Sequence, residues 1–104
     1  MGESMLTREK ILQTLKNELP YFRTEYGIKR IGIFGSFAKG IPNEDSDIDL
    51  FVEFDRPIGL KFIEFGDYLE KLFGRKTNIL TPAGISSIRL KHVARNIEEN
   101  IIYV

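Results

Sequence analysis

The sequence predicts an α/β (α+β) fold, a small mixed sheet of three to four strands flanked by helices. Three observations carry this. Apolar residues recur at helical spacing in several segments; short runs rich in β-branched residues alternate with them; and glycine or proline separates most of these segments. With 104 residues and 42% hydrophobic content, the chain is expected to form one domain, residues 1–104, around one core.

Each element has its own signal. A first helix is expected from Thr7, a capping residue, because Ile11, Leu12, Leu15 and Leu19 share a face; Pro20 or Gly27 ends it. The run IKRIGIF, Ile28 to Phe34, reads as a strand that Gly35-Ser36 breaks, with a short helical turn over Phe37 to Lys39. A second strand, DIDLFVEF, spans Asp47 to Phe54, with Ile48, Leu50, Val52 and Phe54 on one face and Asp47 and Asp49 starting the other. The short link between these two strands leaves their relative direction open. After Pro57, the series Phe62, Phe65, Leu69, Leu72 and Phe73 predicts a helix closed by Gly74, with Phe62 and Phe65 in the core. KTNILT, Lys76 to Thr81, reads as a short strand. Ile85, Ile88, Val93 and Ile97 predict one final amphipathic helix, and IIYV adds a last strand. Tyr21, Tyr26, Tyr68 and Tyr103 are expected at the edge of the core, and His92, the single histidine, on the last helix in a surface or packing role.

Composition excludes several classes of function. The chain has no cysteine, so neither a structural disulfide nor a thiolate zinc site is available, and a cytoplasmic location is expected. The opening MGESMLTREK lacks the apolar core of a signal peptide, and no apolar run approaches the roughly 18 to 20 residues of a membrane span. Fifteen basic and fifteen acidic side chains cancel. No direct nucleic-acid binding is therefore expected.

Chemistry concentrates in residues 35–54, GSFAKGIPNEDSDIDLFVEF. Glu44, Asp45, Asp47 and Asp49 crowd its middle. Asp47 and Asp49 open an otherwise apolar strand, so their side chains leave one face with Cα atoms roughly 6.5 Å apart. Such a pair repels itself unless a cation lies between, and magnesium suits it: a hard ion that takes few carboxylates and completes its shell with water and phosphate oxygens. A calcium loop starting at Asp45 fails, because Leu50 stands where glycine is required and Arg56 where glutamate is. Phosphatase and glycosyltransferase Asp-x-Asp pairs follow a strand, whereas this one begins a strand. Gly35 lets backbone approach a ligand, Ser36 supplies N–H and hydroxyl donors, and Lys39, one turn on, adds positive charge. The segment from Gly35 to Gly40 lacks the lysine and Ser/Thr of a Walker loop.

Gly35-Ser36 followed after ten intervening residues by Asp47-Ile48-Asp49 resembles the signature of the DNA polymerase β-type nucleotidyltransferase superfamily. Within it, the chain is most similar to the minimal nucleotidyltransferases, small prokaryotic proteins usually paired with a HEPN-domain partner. The resemblance implies the polymerase β-like fold, with Gly35, Ser36 and Lys39 at the triphosphate and Asp47 and Asp49 as ligands of Mg2+ (or Mn2+). Lys39 stands where the family often has arginine, which keeps the charge and loses the two-pronged geometry. It also implies transfer of AMP from ATP to a hydroxyl, a tyrosine of a HEPN-type ribonuclease toxin, with this chain as antitoxin.

One position departs from the pattern. The family's third carboxylate sits on a later strand, and KTNIL aligns with that segment to put Asn78 there. An amide oxygen can ligate magnesium but brings no charge and serves as no base. Glu53 lies roughly 13 Å along its strand from Asp49, and Asp67 and Glu70 fall on a helix face expected to be solvated. Two readings follow: an enzyme working with an incomplete acid set, or a catalytically weak nucleotide-binding module that neutralises its partner by contact. Template-directed polymerisation is set aside, since the chain leaves no room for template-holding domains.

Overall fold

The computed structural model describes residues 6–43 and 45–104. Helix α1 (Arg8–Tyr26) starts where expected: the Thr7 hydroxyl accepts from the Lys10 amide at 3.2 Å, and Gly27 caps the far end. Pro20 does not end the helix but lies inside it. A proline inside a helix costs about 3 kcal/mol. Here its ring is exposed, and continuing the helix buries Phe22 and Tyr26, at 0% and 1% exposure. Two buried aromatic side chains at about 1.5–3 kcal/mol each outweigh the proline.

Strand β1 (Ile28–Phe34) leads into α2 (Gly35–Lys39), which begins two residues before the expected turn. Strand β2 (Ile48–Phe54) runs antiparallel to β1, settling the direction that the short link left open. Asp47 lies just ahead of it. Helix α3 (Lys61–Phe73), capped by Gly74, crosses to β3 (Thr77–Leu80), which pairs parallel with β2 as a helical crossover permits. Strand β4 (Ile102–Tyr103) returns antiparallel to β1, giving the four-stranded order β3-β2-β1-β4.

The single final helix of the sequence reading is two helices, α4 (Pro82–Ser86) and α5 (Lys91–Glu99). Pro82 starts the first, the Thr81 hydroxyl capping it by accepting from the Gly84 amide, and extended backbone at Leu90 separates the two. The apolar residues do not share one stripe. Ile85 is buried, whereas no residue of α5 is, and His92 is exposed.

Alternation in the strands separates two faces. Ile31 and Ile33 of β1 and Ile48, Leu50 and Val52 of β2 form the core with Ile11, Leu15 and Phe22 of α1 and Phe65 and Leu69 of α3, all buried. Phe22 meets Phe65 edge to face, centroids 5.2 Å apart. Phe62, expected in the core, is 38% exposed and packs its ring beside Phe54. The opposite face carries Asp49, Phe51 and Glu53. Phe51 is buried there beside Tyr103. At Gly32 a Cβ would come within 2.6 Å of the Ile102 carbonyl oxygen, so only glycine lets β4 lie this close. No described helix is long and apolar enough to cross a membrane.

Tyrosines tie α1 to α3. Tyr26 is fully buried rather than at the core edge, and its hydroxyl donates to Glu64 at 2.9 Å; the Tyr68 hydroxyl donates to Glu18 at 2.7 Å. Acceptance by Glu18, with burial, pushes the Tyr68 phenol up to about 12. Its folded value is raised, so its contribution is complete below the ordinary value of 10 and is lost as pH climbs towards 12. Unfolding free energy should accordingly fall between pH 10 and 12, and in Tyr68→Phe part of that fall should vanish in denaturant titrations at both ends of the window.

Candidate active site

The site grows out of strand register. Phe34, the last residue of β1, pairs with Asp49, the second of β2, and on the other side Asp49 pairs with Asn78 of β3. Gly35 then turns the chain into α2 with φ +75°, a conformation favouring glycine. Space makes a second demand: a Cβ on Gly35 would collide with the Oδ2 of Asp49. The carboxylate therefore rests directly against the backbone of the Gly-Ser turn.

Asn78 joins the two aspartates. Its Nδ2 donates to Asp49 Oδ1 at 3.0 Å and reaches Asp47 Oδ2 at 3.4 Å. Asp47 and Asp49 are half-buried and Asn78 is exposed, so the cluster opens to solvent on the face away from the core. One nitrogen sits within reach of both carboxylates and places its N–H dipoles where their negative potentials overlap. A single hard cation fits that donor set, with two charged oxygens from the pair and, after a half-turn of the amide, the neutral Asn78 oxygen. Among the described residues no three His, Cys, Asp or Glu side chains converge.

Of the other carboxylates raised by the sequence, Glu53 and Glu70 are engaged elsewhere. Glu44 lies outside the described residues, and Asp45 is exposed in the loop, its amide bonded to the Asn43 side chain at 2.8 Å. Glu53 accepts from Arg30 at 2.7 Å, with Lys29 at 3.7 Å; chiefly through the Arg30 hydrogen bond, it is held below the usual carboxylate range. Glu70 accepts from the Thr77 amide at 3.1 Å. Asp67 lines a depression of about 570 Å³ beside Tyr21 and Tyr68. That depression and one of about 580 Å³ near Phe54 and Pro82 include none of the expected site residues. The carboxylate pair belongs to an open face rather than to either hollow.

Ser36 is half-buried in the first turn of α2, its carbonyl accepting from the Ile41 amide at 3.0 Å. Lys39 is exposed in the last turn and forms no ion pair among the described residues. One residue that the sequence reading passed over stands at the edge of the site. Arg75 donates to the Ser46 carbonyl at 2.7 Å, and its guanidinium lies 5.5 Å from the centre of the Phe37 ring. As one of fifteen basic residues, and distant in sequence from both partners, it carries no local signal.

A paired-aspartate strand facing a Gly-Ser turn on a four-stranded mixed sheet is the architecture of a nucleotidyltransferase, and comparison with known proteins agrees. The family model described as "Nucleotidyltransferase domain" matches residues 9–104, so the chain belongs to that family, among its minimal members. The protein adenylyltransferase MntA of Thermococcus cleftensis is 35% identical over 102 residues, 97% of this chain and 99% of its own. MJ1379 of Methanocaldococcus jannaschii is 38% identical over 103 residues, 96% of this chain and all of its own. A solved minimal nucleotidyltransferase superposes with TM-score 0.71 at 25% identity, covering 96% and 98% of the two chains. A crystal structure of a toxin–antitoxin MntA–HpeT variant shares the polymerase β-like fold, with TM-score 0.61 at 16% identity, over 94% of this chain and 72% of that one.

The contact between Gly35 and Asp49 has a measurable consequence. Gly35→Ala should cost about 1–2 kcal/mol of stability from the positive φ alone, with a further loss from the collision. In Gly35→Ala/Asp49→Ala the collision is gone, so the double variant should be more stable than the sum of the single losses, in parallel denaturant melts. Strict additivity would remove the contact from the account.

Proposed function

We propose that this chain transfers AMP from ATP to a protein hydroxyl in the cytoplasm, using a divalent ion held by Asp47 and Asp49. The observation that carries the reading is that Asp47 and Asp49 both reach the Asn78 amide while the Asp49 carboxylate lies flush against Gly35 of the Gly-Ser turn. The relatives named as protein adenylyltransferases and the MntA–HpeT toxin–antitoxin structure support a partner toxin as the acceptor; that the acceptor group is a tyrosine and the toxin of HEPN type rests on the resemblance of the sequence motif alone. This chain then acts as the antitoxin.

The residues divide the work. Gly35 and Ser36 offer backbone N–H groups and a hydroxyl to the triphosphate, and Lys39 adds charge beside it. Asp47 and Asp49 would hold the cation, Mg2+ or Mn2+, which would neutralise charge on the phosphate oxygens. The acceptor hydroxyl oxygen bonds to that phosphorus, the bond to the bridging oxygen of the β-phosphate breaks, pyrophosphate leaves and the hydroxyl proton passes to water. Asn78 contributes a ligand atom without charge and accepts no proton. Binding of nucleotide therefore outlasts turnover, which gives weight to a second reading in which the chain neutralises its partner by contact and holds nucleotide only weakly or vestigially.

ATP should bind only with a divalent cation present, because the two carboxylates otherwise repel the triphosphate. Calorimetric titration with and without magnesium checks this, and equal affinity in both would sink it. Asp47→Asn/Asp49→Asn should abolish the binding while melting at the same temperature or higher.

The decisive comparison is transfer of labelled AMP to the partner by the native chain and by Asn78→Asp. Restoring a third charge should raise turnover roughly a hundredfold, equivalent to about 2.7 kcal/mol at the transition state. Fast native transfer without any gain would show that another group already supplies the function. No transfer by either, with the partner still inhibited by the Asp47/Asp49 double variant, would establish the contact reading.

A further inference from the structure

We infer that Arg75 is a positioning residue that sets the spacing between the carboxylate pair and the Gly35-Ser36 turn; its effect on nucleotide affinity rests on the function proposed above. Asp47 lies ahead of β2, outside its strand pairing, yet both its neighbours are held. The Ser46 carbonyl accepts from Arg75 Nη1 at 2.7 Å, and the Ile48 amide donates to the Lys76 carbonyl at 3.0 Å. Consecutive residues of the α3–β3 link thus grip the chain on either side of Asp47. The link is itself anchored to α3, through the Thr77 amide on Glu70.

The same side chain reaches the other half of the site. Its guanidinium faces Phe37, which follows Ser36 in α2 and is buried to 1% exposure. A brace for a loop alone would need only the carbonyl contact. Arg75 joins the residue before Asp47 to the residue after Ser36, so movement of either half is resisted by the other. A planar guanidinium can donate along its edge while its face lies against a ring, which an ammonium cannot do. Lysine at this position would not keep the Ser46 and Phe37 contacts together.

The test compares the native chain with Arg75→Lys, Arg75→Ala and Phe37→Leu by MgATP titration and by amide exchange. Arg75→Ala should weaken MgATP binding about tenfold, the loss expected for one charge-assisted hydrogen bond. Arg75→Lys and Phe37→Leu should fall between it and native. Exchange should accelerate together at Ser46, whose amide bonds to Asn43, and Ile48, whose amide bonds to Lys76, and at Gly40 and Ile41, whose amides bond back into α2. A lowered melting temperature with unchanged MgATP affinity would reduce Arg75 to a structural brace and overturn the inference. Should the native chain bind no MgATP, the nucleotide reading falls separately and exchange decides: coupled acceleration upholds the linkage, while acceleration confined to Ser46 and Ile48 overturns it. If Arg75→Ala does not fold, Arg75→Lys carries both measurements.

Discussion

Pairing Phe34 with Asp49 sets the end of β1 beside the start of β2, and the geometry of the candidate site follows from that single alignment. A slip of one residue would turn Asp49 into the core and Ile48 and Leu50 out to solvent. Burial of Ile31, Ile33, Leu50 and Val52 opposes any such slip. With the register held, Gly35 arrives against the Asp49 carboxylate, and the parallel strand β3 delivers Asn78 to its other side. The core thus determines where the polar groups meet, although none of them belongs to it.

Charge is distributed unevenly among the acidic groups. Glu53 faces Arg30 and Lys29, Glu25 faces Lys61, and Glu18 and Glu64 accept tyrosine hydroxyls. Asp47 and Asp49 are met instead by a neutral amide. An amide satisfies hydrogen-bonding capacity and leaves the negative potential largely in place. Among the described residues the two aspartates thus combine geometric order with charge that no ion pair offsets, the condition under which a cation gains most by binding.

Much of this was legible in the sequence because it is local. The strand runs, the Thr7 cap, the Gly74 stop and the alternation placing Asp49 opposite Leu50 depend on a few adjacent residues each, and the Gly-Ser to Asp-x-Asp spacing identified the fold family. Long-range effects were not legible in the same way. Pro20 lies inside α1 because Phe22 and Tyr26 find a core to enter. The last helix divides because Ile85 is buried and α5 is not. Phe62 and Phe65 have the same spacing signal, but only Phe65 is fully buried. Arg75 carries no such local signal, because Ser46 and Phe37 are brought to it by the tertiary fold.

The shortest strand has an influence out of proportion to its size. β1 contains IGIF, an apolar segment of high strand propensity, and it would be an edge of the sheet without β4. Exposed edges of that kind recruit strands from other molecules. Ile102 and Tyr103, with the Val104 amide bonded to the Ile31 carbonyl at 3.1 Å, occupy those hydrogen-bonding positions, and Gly32 admits them at close range. β4 is thereby a guard against self-association, shielding an adhesive strand from neighbouring copies in a concentrated solution.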